Sequence, residues 1–158
     1  KYISGFLGEG NKEIKVLDVG TGSGILSIAA LKLGASEVVA TEIDEYAIPT
    51  VRENMFINNI DKSDYKLICG DILEDKTVQN EVGYDRYDIL AANILAPVII
   101  RLQADAGKYL KSGGVFISSG IIDTKETEVV ESIKANPDLE IIDVIHDGEW
   151  LSVCARRK

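Results

Sequence analysis

Four polar or glycine-rich segments follow four apolar, β-prone runs of this 158-residue chain. The first is Asp18-Val19-Gly20-Thr21-Gly22-Ser23-Gly24, and the others are Glu42-Ile43-Asp44, Gly70-Asp71 and Asn93. In an open parallel sheet, ligands bind outside the carboxyl ends of the strands, near the point where the strand order reverses. The four segments therefore predict one ligand site that several strand ends build together.

The glycine-rich segment suits a ligand that comes close to the backbone. Its glycines allow a sharp turn without interference from Cβ atoms, and a helix starting after them offers free N–H groups and the positive end of its dipole. Asp18 adds a negative charge, so the cradle favours a zwitterionic ligand head, although this side chain could instead be a purely structural acceptor for the loop. The candidate ligand-binding residues here are Asp18, Gly20, Thr21, Gly22, Ser23 and Gly24.

Acidic residues at the next two strand ends suit a nucleoside. Glu42 lies 22 residues after Gly20, close to the ~20-residue offset at which an acid meets a ribose hydroxyl. Asp71 can accept a hydrogen bond from an exocyclic amine such as adenine N6. Asp44 has two interpretations, as the N-cap of the next helix or as a ligand contact. Together these residues predict a bound nucleoside.

The elements that must position these residues alternate between strand and helix. The pattern predicts strands over 14–19, 37–43, 65–71, 86–93 and 113–120, helices over 25–33, 45–59, 98–110 and 125–135, and a short helix plus loop in 74–85. The segment 139–157 contains two further β-rich runs around Asp147-Gly148, a hairpin signal. The predicted fold class is α/β, a Rossmann-like, seven-stranded, mostly parallel sheet with helices on both faces and a C-terminal antiparallel hairpin.

The composition excludes several classes of protein. Hydrophobic residues make up 46% and charged residues 27% of the chain, which is typical of a globular domain. No apolar stretch approaches the ~20 residues that span a bilayer. A net charge of −9 disfavours direct nucleic-acid binding. It suits a basic or neutral partner, although a mildly acidic surface is also the usual means of keeping a protein in solution. Cys69 and Cys154 lack metal-site spacing, so we expect no metal and two buried free thiols in a reducing cytoplasm.

The motif set resembles class I S-adenosylmethionine-dependent methyltransferases. The shared features are VLDVGTGSG, the acidic end of strand two, GD after strand three, and a reversed last strand. Dinucleotide folds usually carry GxGxxG instead. The resemblance implies that the loop approaches the methionine part of S-adenosylmethionine, that Glu42 binds the ribose, and that Asp71 with Ile72 holds the adenine. The product would be S-adenosylhomocysteine.

The fourth strand end carries Asn93-Ile94-Leu95-Ala96. Amino-methylating members of the family have (N/D)PP(Y/F/W) here, and loss of the aromatic disfavours stacking on a flipped base. ANILA, DVGTGSGILSIAALKLGA (18–35), GGVFISSGI (113–121) and GEWLSV (148–153) resemble the ribosomal protein L11 methyltransferases. This resemblance implies methylation of lysine side chains and the N-terminal amine of a basic ribosomal protein, with the Asn93 amide oxygen and the Ile94 carbonyl facing the amine. Alternatively, Asn93 merely caps the next helix.

That family also has an N-terminal recognition domain and a segment that closes over the cofactor. Neither is found in this sequence, so we expect 1–158 to be a single catalytic domain, cytoplasmic and monomeric, that starts in the helix ahead of strand one. Tyr2 and Phe6 either cover the sheet edge or belong to a cofactor lid. We expect His146 to be an exposed hairpin residue and Trp150 to favour core packing over substrate stacking.

Three other functions remain open from the sequence. The chain could methylate another protein or a small-molecule amine, or it could be a non-catalytic nucleoside-binding scaffold. A nicotinamide dehydrogenase ranks below both.

Overall fold

The protein is described from a computed structural model that covers Ile3 and residues 13–158. Tyr2, Phe6 and the start of the helix expected ahead of the first strand lie outside the described residues. None of the helices in the described part of the chain has the length and apolarity that a membrane crossing needs.

Seven strands form one mixed sheet in the order β3-β2-β1-β4-β5-β7-β6. β1, β2 and β3 pair in parallel, as do β4 and β5, whereas β7 is antiparallel to both β5 and β6. The strands are β1 Lys15–Val19, β2 Glu37–Glu42, β3 Tyr65–Cys69, β4 Tyr87–Asn93, β5 Leu110–Ile122, β6 Leu139–Asp147 and β7 Trp150–Arg157. The predicted fold class, including the closing antiparallel hairpin, is confirmed.

Five α-helices and two single 3₁₀ turns connect these strands in the described residues. They are α1 Ile25–Lys32, α2 Ile48–Ile57, α3 Lys76–Val82, α4 Ala96–Tyr109 and α5 Glu126–Lys134, with 3₁₀ turns at Glu45–Ala47 and Asp123–Lys125. The chain divides into two compact units, Lys1–Gly83 and Tyr84–Lys158.

In the first unit, apolar side chains from α1 and α2 pack over the strands. Ile28, Val51 and Met55 form a buried cluster, and the half-buried Tyr65 and Leu67 of β3 pack against it. The predicted helix over 45–59 is divided, because Asp44 caps a 3₁₀ turn before α2 begins at Ile48. Pro49 falls in the first turn of α2, where its missing N–H has no partner to lose.

In the second unit, β5 is longer than the predicted 113–120 because strands pair with it on both sides. β4 pairs with it as far as Ser119, and β7 carries the pairing on to Ile122. α4 starts two residues earlier than predicted, with Pro97 in its first turn. Ile99, Leu102, Ala106 and Tyr109 are buried along one side of α4, as the spacing predicts.

The predicted C-terminal hairpin is present, with its turn one residue further along. Asp147 pairs with Trp150, so Gly148 and Glu149 form the connection, and Gly148 has a φ of 61°. His146 is exposed, as expected. Trp150 is 54% exposed, so the expectation of core packing is wrong. Side chains alternate along a strand, and it is the next residue, Leu151, that is buried.

The two free cysteines differ in exposure, and the expectation that both are buried is wrong for Cys69. Cys69 ends β3, which lies at one edge of the sheet. The buried side of β3 is taken by the preceding residue, Ile68, which leaves Cys69 on the other side. Cys154 is fully buried, and burial raises the pKa of its thiol to about 12.

We expect a thiol reagent such as Ellman's reagent to label one cysteine in the native chain and two in denaturant. The thiolate is the reactive form, and Cys154 is both inaccessible and hard to deprotonate, whereas Cys69 is exposed. Cys69→Ser should abolish the native labelling, and Cys154→Ser should leave it in place. Rapid labelling of two thiols in the native chain would contradict the burial of Cys154.

Candidate functional site

The loop between β1 and α1 makes a tight turn that depends on its glycines. Gly20, Gly22 and Gly24 have φ values of 70°, 57° and 86°, in the left-handed region that favours glycine. The turn brings the N–H groups of Gly20 and Thr21 onto one acceptor, the carbonyl oxygen of Thr41, at 2.9 and 3.0 Å. The loop is thereby attached to the end of β2.

Asp18 lies beneath this loop and bonds to the chain itself. It is 1% exposed. Its Oδ2 accepts from the Thr21 hydroxyl at 2.7 Å, the Ser27 hydroxyl at 2.6 Å and the Ser27 N–H at 3.1 Å. These contacts make Asp18 a structural acceptor, the alternative that the sequence leaves open; a contact with a ligand stays a prediction.

The other oxygen of Asp18 has different surroundings. Oδ1 is buried and makes no hydrogen bond within the described residues. Burial raises the pKa of this carboxyl above 3.8, and the hydrogen bonds from Ser27 and Thr21 only partly oppose that effect. A buried acceptor without a partner is costly, so this oxygen can take a donor from a ligand.

Glu42, at the end of β2, joins the loop to the next turn. Its Oε2 accepts from the Gly22 N–H at 2.8 Å, and its Oε1 accepts from the Asp44 N–H at 3.0 Å. The residue is 8% exposed. Each carboxylate oxygen can accept more than one hydrogen bond, so both can also receive hydroxyl donors from a ligand at the edge of the loop.

Asp44 acts as a cap in this structure. It is exposed, and its Oδ1 accepts from the Tyr46 N–H at 2.9 Å, which is the capping interpretation of this residue. Its ligand contact stays a prediction.

The segment after β3 lies in the same unit, beside the end of β2. The Gly70 N–H donates to the Glu42 carbonyl at 2.8 Å. Asp71 is half-buried, and its Oδ1 accepts from the Leu73 N–H at 2.8 Å. Ile72 is 3% exposed, and its carbonyl accepts from the Gln79 side chain at 2.9 Å. The first unit therefore brings together the ends of three strands.

Asn93 and Ile94 lie in the second unit, where β4 ends. Asn93 is exposed, so its amide does not have to be satisfied inside an apolar core, and Ile94 is half-buried. Leu95 is the N-cap residue of α4 and no side chain caps that helix, so capping of α4 by Asn93 is wrong. Beside it, Gly120 has a φ of 71°, and a Cβ atom on Gly120 would lie 2.5 Å from the Asn93 Oδ1.

Several residues that support the predicted ones were not found by sequence reasoning. Ser27 and Asn54 lie within helices, where a polar residue carries no special signal, yet Asn54 Nδ2 donates to the Ser23 carbonyl at 2.8 Å. Gln79 holds the backbone after β3 in the same way. Gly120 had a detectable signal, because it follows two serines at the end of the predicted strand 113–120. Among the described residues, no group of three or more His, Cys, Asp or Glu side chains could hold a metal ion.

Comparison of the sequence with known proteins identifies similar chains. The sequence model of the family described as Ribosomal protein L11 methyltransferase (PrmA) matches residues 6–158. A ribosomal protein L11 methyltransferase from Lachnospira eligens is 52% identical over 144 residues, which are 91% of this chain and 45% of that protein. The protein of the same name from Agathobacter rectalis is 49% identical over 158 residues, 99% of this chain and 47% of its own. The chain spans about half the length of the curated relatives it matches.

Solved structures share the fold. The ribosomal protein L11 methylase from Lactobacillus delbrueckii subsp. bulgaricus has a TM-score of 0.83 at 31% identity, over 99% of this chain and 77% of that one. SMU.776, solved in complex with SAH, has a TM-score of 0.76 at 13% identity, over 98% of this chain and 48% of its own. At the second identity the likeness shows the fold alone.

The raised pKa of Asp18 predicts how the stability of the chain depends on pH. Between 3.8 and the raised value, the folded chain keeps a proton that the unfolded chain has lost, so stability falls as the pH rises through that interval. Asp18→Asn removes this titration. The free energy of unfolding of the wild type, relative to that of the variant, should therefore fall with rising pH, with a slope of up to about 1.4 kcal/mol per pH unit.

Urea unfolding of both chains from pH 4.5 to 8 measures this difference. Asp61→Asn is the matched control, because hydrogen bonds from Ser63 lower the pKa of this exposed carboxyl below 3.8. The Asp61 carboxyl titrates below the measured range. The difference in the free energy of unfolding between the wild type and Asp61→Asn should therefore be independent of pH. A flat difference for Asp18→Asn would mean that the buried carboxyl does not carry a raised pKa.

Proposed function

The chain belongs to the ribosomal protein L11 methyltransferase (PrmA) family, and from this we propose that it transfers methyl groups from S-adenosylmethionine to amino groups of ribosomal protein L11. The proposed acceptors are lysine side chains and the N-terminal amine. The observation that carries the proposal is the glycine loop held by Glu42 and underlain by Asp18, within a sequence 52% identical to a relative of that name.

The residues of the first unit suit this cofactor. A ribose offers two hydroxyl donors, and Glu42 offers two carboxylate oxygens that each already accept one backbone N–H. The methionine part carries an ammonium group, and Asp18 Oδ1 is an acceptor without a partner among the described residues. For adenine we propose Asp71 and Ile72, and for the methionine part the Gly20–Gly24 loop, with Asp44 as a further contact.

The chemistry that we propose needs orientation more than strong acid–base catalysis. When bound, S-adenosylmethionine supplies a methyl carbon on a positively charged sulfur. The nitrogen of a neutral amine would attack that carbon in line with the carbon–sulfur bond and displace the sulfur. The Asn93 amide oxygen and the Ile94 carbonyl would accept the N–H bonds of that amine and so direct its lone pair. They would also stabilise the positive charge that develops on nitrogen, without taking up a proton themselves.

We propose further that the chain corresponds to the catalytic part of its longer relatives and acts in the cytoplasm, where ribosomal proteins are made. A basic protein substrate matches the net charge of −9. Direct binding of nucleic acid and self-association have no place in this proposal.

Glu42→Ala should weaken S-adenosylmethionine binding by tenfold or more, since hydrogen bonds to a charged group are worth about 1.5–3 kcal/mol. Isothermal calorimetry on the 158-residue chain measures this. Glu45→Ala, an exposed carboxylate three residues further on, is the matched control and should bind normally. NADH should give no signal. Unchanged affinity in Glu42→Ala would make the ribose assignment wrong.

Asn93→Ala should leave the affinity for S-adenosylmethionine within a few-fold and slow methyl transfer about 100-fold, the scale of one preorganised polar group. Gly120→Ala should slow transfer as well, because the new Cβ would displace the Asn93 amide. The double variant should transfer methyl groups no more slowly than Asn93→Ala alone, since both substitutions act on the same amide.

Gly113→Ala controls for backbone strain in this experiment. Gly113 also has a positive φ, 78°, but a Cβ there would meet no atom within 4 Å, so methyl transfer should proceed at the wild-type rate. Single-turnover transfer to a lysine peptide is the measurement. Equal losses of cofactor affinity and of turnover in Asn93→Ala would indicate a structural role for this residue.

A further inference from the structure

The far end of β5 and the start of β7 expose an apolar pair in the second unit. Ile122 and Trp150 lie directly opposite each other across the two antiparallel strands, so their side chains project from the same side of the sheet. They are 40% and 54% exposed, whereas their neighbours Ile121 and Leu151 are buried. An exposed aromatic residue beside an exposed isoleucine is a common feature of interaction surfaces.

Three acidic residues lie next to this pair, along the chain or across the hairpin. Asp147 pairs with Trp150 across the hairpin, and the Asp123 N–H donates to the Glu149 carbonyl at 2.9 Å. All three side chains are exposed, and none of them makes an ion pair or hydrogen bond within the described residues. We call Ile122, Asp123, Asp147, Glu149 and Trp150 the β5–β7 ledge. It is an apolar surface with three uncompensated negative charges.

Two other acids next to the ledge contact basic side chains of different kinds. Glu126 contacts His146 at 3.0 Å, and Glu128 contacts Lys125 at 2.8 Å. Lys125 offsets the charge of Glu128, whereas the three carboxylates of the ledge add negative charge that no cation among the described residues offsets.

The ledge lies beside the end of β4 within the same unit. Asn93 pairs with Ser119 of β5, and β5 continues three residues further to Ile122. At about 3.3 Å per residue along the strand and about 4.8 Å between strands, Asn93 and Trp150 are roughly 14 Å apart. An extended peptide covers that distance in about four residues, so one segment can reach both.

We propose that the β5–β7 ledge binds the polypeptide segment that flanks the acceptor amine, and that this segment is basic, with an apolar residue about four positions from the acceptor lysine. This inference rests on the proposed function for the acceptor at Asn93. The apolar pair would contribute affinity, as tryptophan does at many interfaces. The carboxylates would select cationic flanking residues and repel acidic ones.

Trp150 is the single tryptophan of the chain, so its fluorescence reports on the ledge directly. The probe is a peptide of about twelve residues with one central lysine, a leucine four positions away and flanking arginines. Titrated into the chain with S-adenosylhomocysteine present, it should shift the Trp150 emission to shorter wavelength as the indole is covered. A peptide with glutamates in place of the arginines should bind at least tenfold more weakly.

Variants separate the ledge from the rest of the surface. Ile122→Ala keeps the fluorophore and should weaken peptide binding roughly fivefold, whereas Ile142→Ala, a 39% exposed isoleucine on β6, should bind normally. Asp147→Asn with Glu149→Gln should reduce both the affinity and its dependence on salt, and Glu140→Gln should change neither. With N-acetyl-lysine amide, which is too short to reach the ledge, Ile122→Ala should methylate as the wild type does.

The emission titration needs no turnover, so its result is distinguishable from a failure of the proposed function. A shift that Ile122→Ala weakens supports the ledge even when no methyl is transferred, and calorimetry with the cofactor then decides about the enzyme. Unchanged emission at saturating or millimolar peptide overturns the ledge, including when the peptide is methylated. Equal weakening by Ile122→Ala and Ile142→Ala overturns it as well.

Discussion

The glycine loop depends on a carboxylate buried beneath it. Asp18 is the second-last residue of β1 and is buried, and its Oδ2 accepts three hydrogen bonds from Thr21 in the loop and Ser27 in α1. A buried charge is unfavourable unless hydrogen bonds compensate it, so moving the Thr21 and Ser27 donors away from the carboxylate would cost free energy. The strand, the loop and the helix are consequently held in one arrangement, and the glycines supply the backbone conformation that this arrangement requires.

Two carboxylates near the loop have different surroundings, and this separates their roles. Asp18 is 1% exposed and holds the loop from below, whereas Glu42 lies at its edge and holds Gly22 through one oxygen. Because Glu42 also accepts from the Asp44 N–H, its position is set before any ligand arrives. Preorganised acceptors lose little freedom on binding, so this geometry suits tight recognition of a ligand with hydroxyl groups.

Much of the fold could be predicted from the sequence, because its signals are local. Alternating apolar runs, Pro49 at the start of a helix and the glycine-rich loop all act within a few residues. From residue 14 onward, each predicted strand and helix is present within about three residues of its expected bounds. The exposure of Cys69 and Trp150 was predicted wrongly for the opposite reason. Whether a side chain is covered depends on which strand lies at the edge of the sheet and which element packs over it.

The candidate site shows the same division between local and distant information. The sequence predicted which residues gather at the strand ends of the first unit, and it left open whether Asp18 and Asp44 are structural or contact a ligand. It could not reveal the donors from α1 and α3, since Ser27 and Gln79 have no distinguishing neighbours. Nor could it show that Gly120 leaves space for the Asn93 amide, because that contact joins residues far apart in the chain.

The exposed position of Asn93 bears on how an acceptor amine would be held at the end of β4. An exposed amide at the end of a strand has water as a competing partner, so in the proposed reaction its oxygen would direct an amine only when the rest of the acceptor is held nearby. Proximity supplies a large share of such rate enhancements, and it requires binding energy from parts of the acceptor that do not react. In the second unit, the β5–β7 ledge is the surface near Asn93 on which the proposed acceptor segment would bind in this way. Specificity would then arise about four residues from the reacting nitrogen, where charge and apolar contact distinguish one polypeptide from another.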